Sequence, residues 1–301
     1  MAIQKIFVVG AGLMGSGIAQ NAITSGYTVV LNDQRQEALE RARAGIEKSL
    51  KRDVEKGRMA EEDCQAALAR LSIDNSLNGA KDADLVIEAI YENLEAKQAV
   101  FEGLEKVCPA NTIFASNTSS ISLTALAAAT KRPAQVVGMH FFSPVPKMRL
   151  SEIIFGLLTA PDVLDQIKEV AVKMGKTLIL SDDKPGFIVN RALLPMLNEA
   201  IVIVGSFIGS VEDVDNGMKL GCNHPMGPLE LADMIGLDIL LNVMTVLDKE
   251  YGTKYHPSLL LRKMVRAGYL GRKSGAGFYL YENGKKMGVN PVLTRYHTLN
   301  G

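Results

Sequence analysis

The first part of the chain contains two apolar runs, and a glycine-rich turn follows the first of them. Residues 3–9 are apolar and β-branched, a pattern typical of a buried strand. Residues 13–25 predict a helix that ends at Gly26, and residues 27–31 form a second apolar run. A strand, a helix and a strand at this spacing predict a βαβ unit with a parallel pair of strands.

Strand-like runs recur through the next part of the chain, and helical stretches separate most of them. These runs cover residues 85–89, 112–116, 136–139 and 177–180. The alternation predicts an α/β domain over residues 1–184, with a Rossmann-type, doubly wound sheet. Residues 35–71 are strongly helical and charged, and they predict a helical arm within this domain.

The pattern changes near Pro185 and Gly186, which interrupt regular structure. No clear alternating strand pattern follows them. Helical patterns cover residues 188–208, 211–220, 228–248 and 257–267. We therefore predict an all-α C-terminal domain over residues 185–283. A polar tail over residues 284–301 is expected to be either loose or packed across an oligomer.

Composition excludes several classes of protein. The chain has 33 Lys and Arg residues against 33 Asp and Glu residues, so its net charge gives no general attraction to nucleic acid or to an anionic membrane. Cys64, Cys108 and Cys222 lie far apart, so neither a disulfide framework nor a zinc site is expected. The N-terminus lacks the features of a signal peptide, and no apolar stretch has the length of a membrane span. We expect a cytoplasmic protein without a bound metal.

A glycine-rich motif lies between the first strand and the first helix. It consists of Gly10, Ala11, Gly12, Leu13, Met14 and Gly15. A G-x-G-x-x-G pattern alone is weak, but this one follows a strand, opens a helix and precedes an acidic residue. The three glycines permit a tight turn, close approach of a pyrophosphate and close packing of the helix on the sheet. The free N–H groups of the helix would meet the phosphates.

Asp33 ends the second apolar run, 21 residues after Gly12. A carboxylate there can accept hydrogen bonds from ribose hydroxyls and would repel the extra phosphate of NADP, so NAD is the predicted cofactor. Gln34 belongs to the same predicted cofactor site. Arg35 keeps NADP open, because arginine can bind a 2′-phosphate.

His140 stands at the carboxyl end of an apolar strand, where ligands meet an open α/β sheet. A lone histidine is often structural. Glu152 follows twelve residues later, and a carboxylate beside an imidazole fixes its tautomer and stabilises the imidazolium. A solvated Glu152 is the alternative.

Two further polar positions could bind a substrate. Asn117 and Ser119 follow the strand at residues 112–116, where they could form a plain loop, cap a helix or donate to a substrate oxygen. Asn190 begins the second domain among apolar neighbours, so it needs a partner in substrate or in backbone if it is buried.

Seven segments together resemble the 3-hydroxyacyl-CoA dehydrogenase family, and in particular its bacterial 3-hydroxybutyryl-CoA dehydrogenases. The segments are GAGLMGSGIAQ, IEAIYENLEAK, ASNTSSIS, GMHFFSPVPKMRLSEII, KPGFIVNR, MKLGCNHPMGPLELADMIGLD and AGYLGRKSGAGFY. They occur in the family's order from about residue 3 to residue 281. This collinear set is far more specific than any one motif.

The resemblance implies a role for each matching residue. His140 matches the catalytic base and Glu152 its carboxylate partner. Ser119 and Asn190 match residues that hydrogen-bond the substrate and order the site. The positions that the resemblance places near the cofactor are Glu92, Lys97, Asn117, Ser119, Ser143 and Lys273.

The basic part of the helical arm occupies the region that meets CoA in the family, so Lys51 and Lys56 are expected to contact the substrate. From charge alone, a solvated helical hairpin is the alternative. Ser143 departs from the family's usual H-F-F-N-P, in which an asparagine lies near substrate and cofactor. The shorter serine bears on substrate preference and rate more than on the type of reaction.

The expected function is reversible, NAD-dependent oxidation of an (S)-3-hydroxyacyl-CoA, such as 3-hydroxybutyryl-CoA, to the 3-oxoacyl-CoA. Two alternatives are a related dehydrogenase acting on a non-CoA hydroxy acid or sugar acid, and a non-catalytic NAD-binding module. The resemblance also implies a homodimer through the C-terminal domain. Acyl-chain length and physiological direction stay open.

Overall fold

The structure, a computed structural model, describes residues 3–293 and divides into two units between Phe187 and Ile188. The last part of the predicted tail, residues 294–301, lies outside the described residues.

An eight-stranded sheet forms the centre of the first unit, in the order β3-β2-β1-β4-β5-β6-β7-β8. Neighbouring strands are parallel except β6 and β7, which are antiparallel. The strands are β1 Lys5–Val9, β2 Thr28–Asn32, β3 Leu71–Asp74, β4 Leu85–Glu88, β5 Ile113–Ser116, β6 Val136–Phe141, β7 Leu150–Phe155 and β8 Thr177–Asp182. The order confirms the predicted doubly wound sheet, whose direction of winding changes between β1 and β4.

Apolar side chains cover both faces of this sheet. Along β1, Ile6 and Val8 pack into one core while Phe7 and Val9 pack into a second core on the opposite face. Successive residues of a strand point to opposite faces, so a strand buried on both sides is a continuous apolar run. The apolar pattern of the sequence therefore predicts β1 clearly.

Helices cover the sheet. They are α1 Leu13–Thr24, α2 Gln36–Glu55, α3 Glu61–Ala69, α4 Leu94–Glu105, α5 Leu123–Ala127 and α6 Pro161–Lys173. The predicted arm at residues 35–71 is thus formed by α2 and α3, and its last residue already belongs to strand β3.

Strands β3 and β7 were not predicted. Strand β3 has only four residues and follows a helix directly. Strand β7 contains Ser151 and Glu152, both completely buried, so polar side chains interrupt what would otherwise be an apolar run.

The second unit is helical and contains one hairpin. Its elements are α7 Val189–Gly205, α8 Val211–Gly221, α9 Pro228–Ile235, α10 Leu237–Tyr251, α11 Leu259–Arg266, β9 Tyr279–Glu282 and β10 Lys285–Val289. The helix predicted at 228–248 is two helices, because Gly236 adopts φ +106° between them. The antiparallel pair β9–β10 was not predicted, and β10 falls within the predicted tail. Four of the five residues of β10 are exposed, so this strand has no apolar pattern.

Two buried carboxylates connect the elements of the second unit. Asp215 of α8 accepts hydrogen bonds from the Leu229 and Glu230 amides at the start of α9 and from the Tyr279 hydroxyl. It therefore caps one helix and holds strand β9 at the same time.

Asp233 of α9 makes a second connection to the hairpin. It accepts hydrogen bonds from the Phe278 amide at 2.9 Å, the Tyr279 amide at 2.9 Å and the Tyr281 hydroxyl at 3.1 Å. Burial raises the pKa of Asp233 to about 6, although these donors act in the opposite direction.

Candidate active site

The glycine-rich turn has the shape that a dinucleotide requires. Gly10 has φ +104°, and a Cβ atom there would lie 2.6 Å from the Ala89 carbonyl oxygen. A Cβ atom at Gly15 would overlap the Gly10 carbonyl oxygen, so only glycine lets α1 approach the turn this closely. A Cβ atom at Gly12 would meet nothing within 4 Å, so the backbone at the start of α1 is open to a ligand.

This open helix N-terminus fits a pyrophosphate. Gly12 is the N-cap of α1 and has no side chain to satisfy the first N–H groups, and the first turn contains no acidic residue. Unsatisfied N–H groups and the helix dipole favour an anion at this end.

Asp33 lies beside the turn, directly after β2. Its Oδ2 accepts from the Ala11 amide at 3.0 Å, and its Oδ1 accepts from the Arg35 amide at 3.0 Å. Burial alone would raise the pKa of Asp33, but these amides and the Arg35 guanidinium hold it below the usual value. Arg35 Nε lies 3.5 Å from the Asp33 carboxylate, and Gln34 is exposed beside them. An ionised carboxylate at this place fits the ribose hydroxyls of NAD.

His140 and Glu152 are in direct contact. Nδ1 of His140 lies 2.7 Å from Oε2 of Glu152. The Glu152 side chain is completely buried, and the His140 side chain is 8% exposed. The predicted proximity of these two residues is therefore a feature of the structure.

Strand pairing explains a contact across twelve residues. His140 in β6 is the direct partner of Glu152 in antiparallel β7, so both side chains project from the same face. The Ser151 hydroxyl, next along β7, donates to the His140 carbonyl oxygen at 3.3 Å. The Ser151 hydroxyl thus has a partner within the strand pair.

Two aromatic rings flank the imidazole. The ring centroids of Phe142 and Phe187 lie 4.7 and 5.7 Å from that of His140. Phe187 is buried and has φ 46°, a left-handed conformation that is strained for a bulky residue. Sequence reasoning missed Phe187, although the preceding Pro-Gly pair indicated an unusual turn.

The polar loop after β5 approaches the same strand. Asn117 Oδ1 accepts from the Phe141 amide at 2.9 Å, next to His140. Ser119 follows two residues later and is half-buried. The structure thus brings the Asn117–Ser119 segment and the His140–Glu152 pair together at one edge of the sheet.

Glu92 and Lys97 differ in their exposure. The Glu92 side chain is 35% exposed, and Lys97 is only 1% exposed. The Lys97 ammonium contacts Glu88, a buried residue at the end of β4 that sequence reasoning missed. A glutamate within the buried run Leu85–Glu88 was the available sign of a paired charge.

The remaining predicted residues belong to a loop, to the arm and to the second unit. Ser143 is exposed in the loop after β6. Lys51 pairs with Glu47 at 2.6 Å on the exposed face of α2, and Lys56 is exposed at the end of that helix. Asn190 and Lys273 belong to the second unit, where Asn190 lies in the first turn of α7 and Lys273 donates to Asp238 at 2.6 Å.

Two kinds of feature are absent from residues 3–293. No described helix is long and apolar enough to cross a membrane. Within the same residues, no group of three or more His, Cys, Asp or Glu side chains is placed to hold a metal ion.

Comparison with known families identifies both parts of the chain. Residues 5–184 match the sequence model described as "3-hydroxyacyl-CoA dehydrogenase, NAD binding domain". Residues 186–281 match the model described as "3-hydroxyacyl-CoA dehydrogenase, C-terminal domain".

Individual relatives extend over nearly the whole chain. The chain is 51% identical to the "Probable 3-hydroxybutyryl-CoA dehydrogenase" of Bacillus subtilis (strain 168), over 94% of this chain and 99% of that protein. It is 48% identical to the 3-hydroxybutyryl-CoA dehydrogenase of Bradyrhizobium diazoefficiens, over 97% of this chain and 99% of that protein.

A solved structure agrees with these relatives. The crystal structure of (S)-3-hydroxybutyryl-CoA dehydrogenase from Ralstonia eutropha superposes with a TM-score of 0.91 at 46% identity, and it covers 94% of this chain and 100% of that one. The sequence models, the identities and the fold agree along the length of the chain. The protein belongs to the 3-hydroxyacyl-CoA dehydrogenase family, and its N-terminal unit is the family's NAD-binding domain.

Proposed function

We propose that this protein catalyses the reversible, NAD-dependent oxidation of a short-chain (S)-3-hydroxyacyl-CoA, such as 3-hydroxybutyryl-CoA, to the 3-oxoacyl-CoA. The observation that carries the proposal is the contact between His140 and Glu152 at 2.7 Å, at the carboxyl edge of a sheet with an NAD-binding turn. The names of the relatives support the substrate class.

His140 is the general base. Glu152 accepts a hydrogen bond from the Nδ1–H group of the neutral ring, so Nε2 is left as the acceptor. Nε2 then removes the proton of the 3-hydroxyl group in oxidation and returns it in reduction. The buried Glu152 carboxylate stabilises the imidazolium that forms, because a cation in this water-poor site would otherwise lose its solvation. Phe142 and Phe187 restrict the ring and limit the access of water.

When bound, NAD would supply the redox chemistry, as the acceptor of the hydride that leaves carbon 3 of the substrate. The chain's own residues would hold the cofactor. The amides at the start of α1 would bind its pyrophosphate and Asp33 would bind the adenosine ribose, with Gln34 beside it. Glu92 and Asn117 lie at the carboxyl edge of the sheet, where the nicotinamide end would be bound.

Ser119 and Asn190 are the proposed hydrogen-bond donors to the acyl group, and Ser143 borders its first carbons. Lys51 and Lys56 bind the phosphates of CoA, since the arm carries exposed ammonium groups and the total charge of the protein is zero. Lys273 is a further proposed contact of the cofactor.

The assembly is a homodimer formed through the second unit, and the compartment is the cytoplasm. The second unit exposes large apolar side chains. Ile208 is 75% exposed, Leu220 86% and Ile239 46%. Exposed apolar surface of this kind is typical of protein–protein interfaces.

The test is a rate measurement with purified protein, NADH and acetoacetyl-CoA, followed as loss of nicotinamide absorbance. We expect turnover with the CoA ester, little with free acetoacetate and little with NADPH. A His140→Gln variant should lower the rate by about 10² to 10⁴, the usual contribution of a general base.

Three results would contradict parts of the proposal. Equal activity with free acetoacetate would favour a dehydrogenase acting on non-CoA hydroxy acids. Binding of NADH without turnover on any 3-oxoacyl-CoA would favour a non-catalytic module. Near-normal activity of His140→Gln would remove the proposed base.

A further inference from the structure

A buried ion pair lies beneath the polar loop at the active site. Lys97 Nζ contacts both oxygens of Glu88, at 2.7 and 2.9 Å, and neither side chain is more than 1% exposed. Glu88 is fixed on its other side by the Ile90 amide at 2.7 Å and the Ser116 hydroxyl at 2.6 Å. This pair is therefore attached to the ends of two neighbouring strands, β4 and β5.

Glu92 connects the ion pair to the loop. Its Oε2 lies 3.3 Å from Lys97 Nζ. Its Oε1 accepts from the Thr118 hydroxyl at 2.6 Å, from the Ser119 and Ser120 amides at 2.9 and 3.0 Å, and at a longer distance of 3.3 Å from the Ser119 hydroxyl. One carboxylate thus spans the distance between a buried ammonium and the backbone that carries Ser119.

The groups around Glu92 explain why its carboxylate keeps this position between Lys97 and the loop. Burial alone would raise the pKa of Glu92, but Lys97 and the loop donors outweigh burial and lower it. The charged carboxylate accepts strong hydrogen bonds from the loop. Lys97 is almost completely buried, and the negative charge of Glu88 compensates its positive charge there. The ammonium group is therefore available as a partner of Glu92.

We propose that Glu88 and Lys97 are positioning residues, which hold Glu92 so that Glu92 fixes the Thr118–Ser120 segment and aims Ser119 at the substrate. A buried ion pair contributes little net stability compared with apolar residues of the same volume, whereas it fixes the direction of the groups around it. The inference rests on the proposed function, in which Ser119 binds the acyl group.

The variants separate positioning from stability. Lys97→Met removes the cation from Glu92 and leaves Glu88 with an uncompensated buried charge, so both the thermal midpoint and kcat/KM should fall. Glu88→Gln combined with Lys97→Met removes both charges, so the midpoint should return toward that of the wild type. Glu92 still lacks its cation in this double variant, so kcat/KM for acetoacetyl-CoA should stay about 10- to 100-fold low, as expected for a displaced catalytic group. The matched control is Lys106→Met, at the exposed end of α4.

The same substitutions in a protein that lacks the Ser119 hydroxyl test whether Glu88 and Lys97 act through Ser119. In a Ser119→Ala protein, adding Glu88→Gln and Lys97→Met should lower kcat/KM by less than about twofold, because the group they position is already absent. Recovery of wild-type kcat/KM in the charge-free double variant would overturn the proposal. So would an undiminished loss in the Ser119→Ala background. The wild-type rate, measured in parallel, tests the proposed function separately.

Discussion

The contact between His140 and Glu152 combines two polar side chains within otherwise apolar strands. A buried carboxylate without partners would lose much free energy of solvation, so its place beside an imidazole has a physical reason. The short distance of 2.7 Å between Nδ1 and Oε2 fixes one ring nitrogen and leaves the other for the substrate.

Replacing Glu152 by glutamine should separate its charge from its shape. Glu152→Gln keeps the size of the side chain but removes the negative charge that stabilises the imidazolium. We expect kcat to fall by about 10²-fold or more, with a smaller change in KM, because the lost interaction is strongest in the transition state. Initial rates with NADH and acetoacetyl-CoA measure this. Glu169→Gln, on the exposed side of α6, serves as the control.

Asp233 should make the stability of the protein depend on pH. Its pKa is about 6 in the folded protein, against an ordinary value of 3.8. Because the folded state binds the proton more tightly, this group favours folding at acidic pH. Its contribution declines as the pH rises from about 4 to about 6 and is constant above that range. The shift corresponds to about 3 kcal/mol.

Urea unfolding at several pH values measures this effect. The difference in unfolding free energy between wild type and Asp233→Asn should decrease across this interval. Asp165→Asn, on the exposed face of α6, should show no comparable trend. A difference that does not change with pH would contradict the assignment to Asp233.

At the scale of elements, glycines determine where helices and the hairpin can meet. A Cβ atom at Gly277 would overlap Oδ1 of Asp233, and one at Gly227 would overlap the Asp215 carboxyl group. Two glycines of the family-like segments therefore have a structural explanation. Gly227 allows the start of α9 to approach Asp215, and Gly277 allows the hairpin to approach Asp233.

Substituting two glycines of the second unit should give opposite results. Gly277→Ala should lower the free energy of unfolding by about 1–3 kcal/mol or more, because the new methyl group overlaps Asp233. Gly217→Ala lies in α8 with nothing within 4 Å of the added carbon, and it should raise this free energy by about 0.5–1 kcal/mol. Urea unfolding of both variants is the measurement. Equal effects would show that the contact with Asp233 does not matter.

At the scale of the whole molecule, we expect a twofold symmetric dimer. The chain has a mass of 32.5 kDa, so light scattering after size exclusion at micromolar concentration should give about 65 kDa. Ile208→Lys places a charge on the exposed apolar surface of the second unit and should shift the protein toward monomer. Leu157→Lys, in the first unit and 82% exposed, is the control. A monomeric wild type would contradict the dimer.

The sequence by itself determined the parts of the fold whose side chains follow a simple rule. Strand β1 is apolar on both faces, and the glycine turn after it opens a helix and precedes an acidic residue, which is the context of a dinucleotide site. The cofactor site is local in the chain, so its residues could be read in order. The end of an apolar strand drew attention to His140, and the resemblance gave His140 and Glu152 their roles, but their spacing of twelve residues did not prove contact.

Only the tertiary structure decided what depends on distant residues. Strand β7 hides two polar side chains, and β10 is mostly exposed, so neither follows the apolar pattern of a strand. Glu88 and Phe187 join the site through strand order and an unusual turn. Local signs mark both residues, but they do not show which side chains each residue contacts. Long-range pairing also placed Asp233 against the hairpin. Local propensity and periodicity describe one segment at a time, whereas contacts between distant segments form only when the whole chain folds.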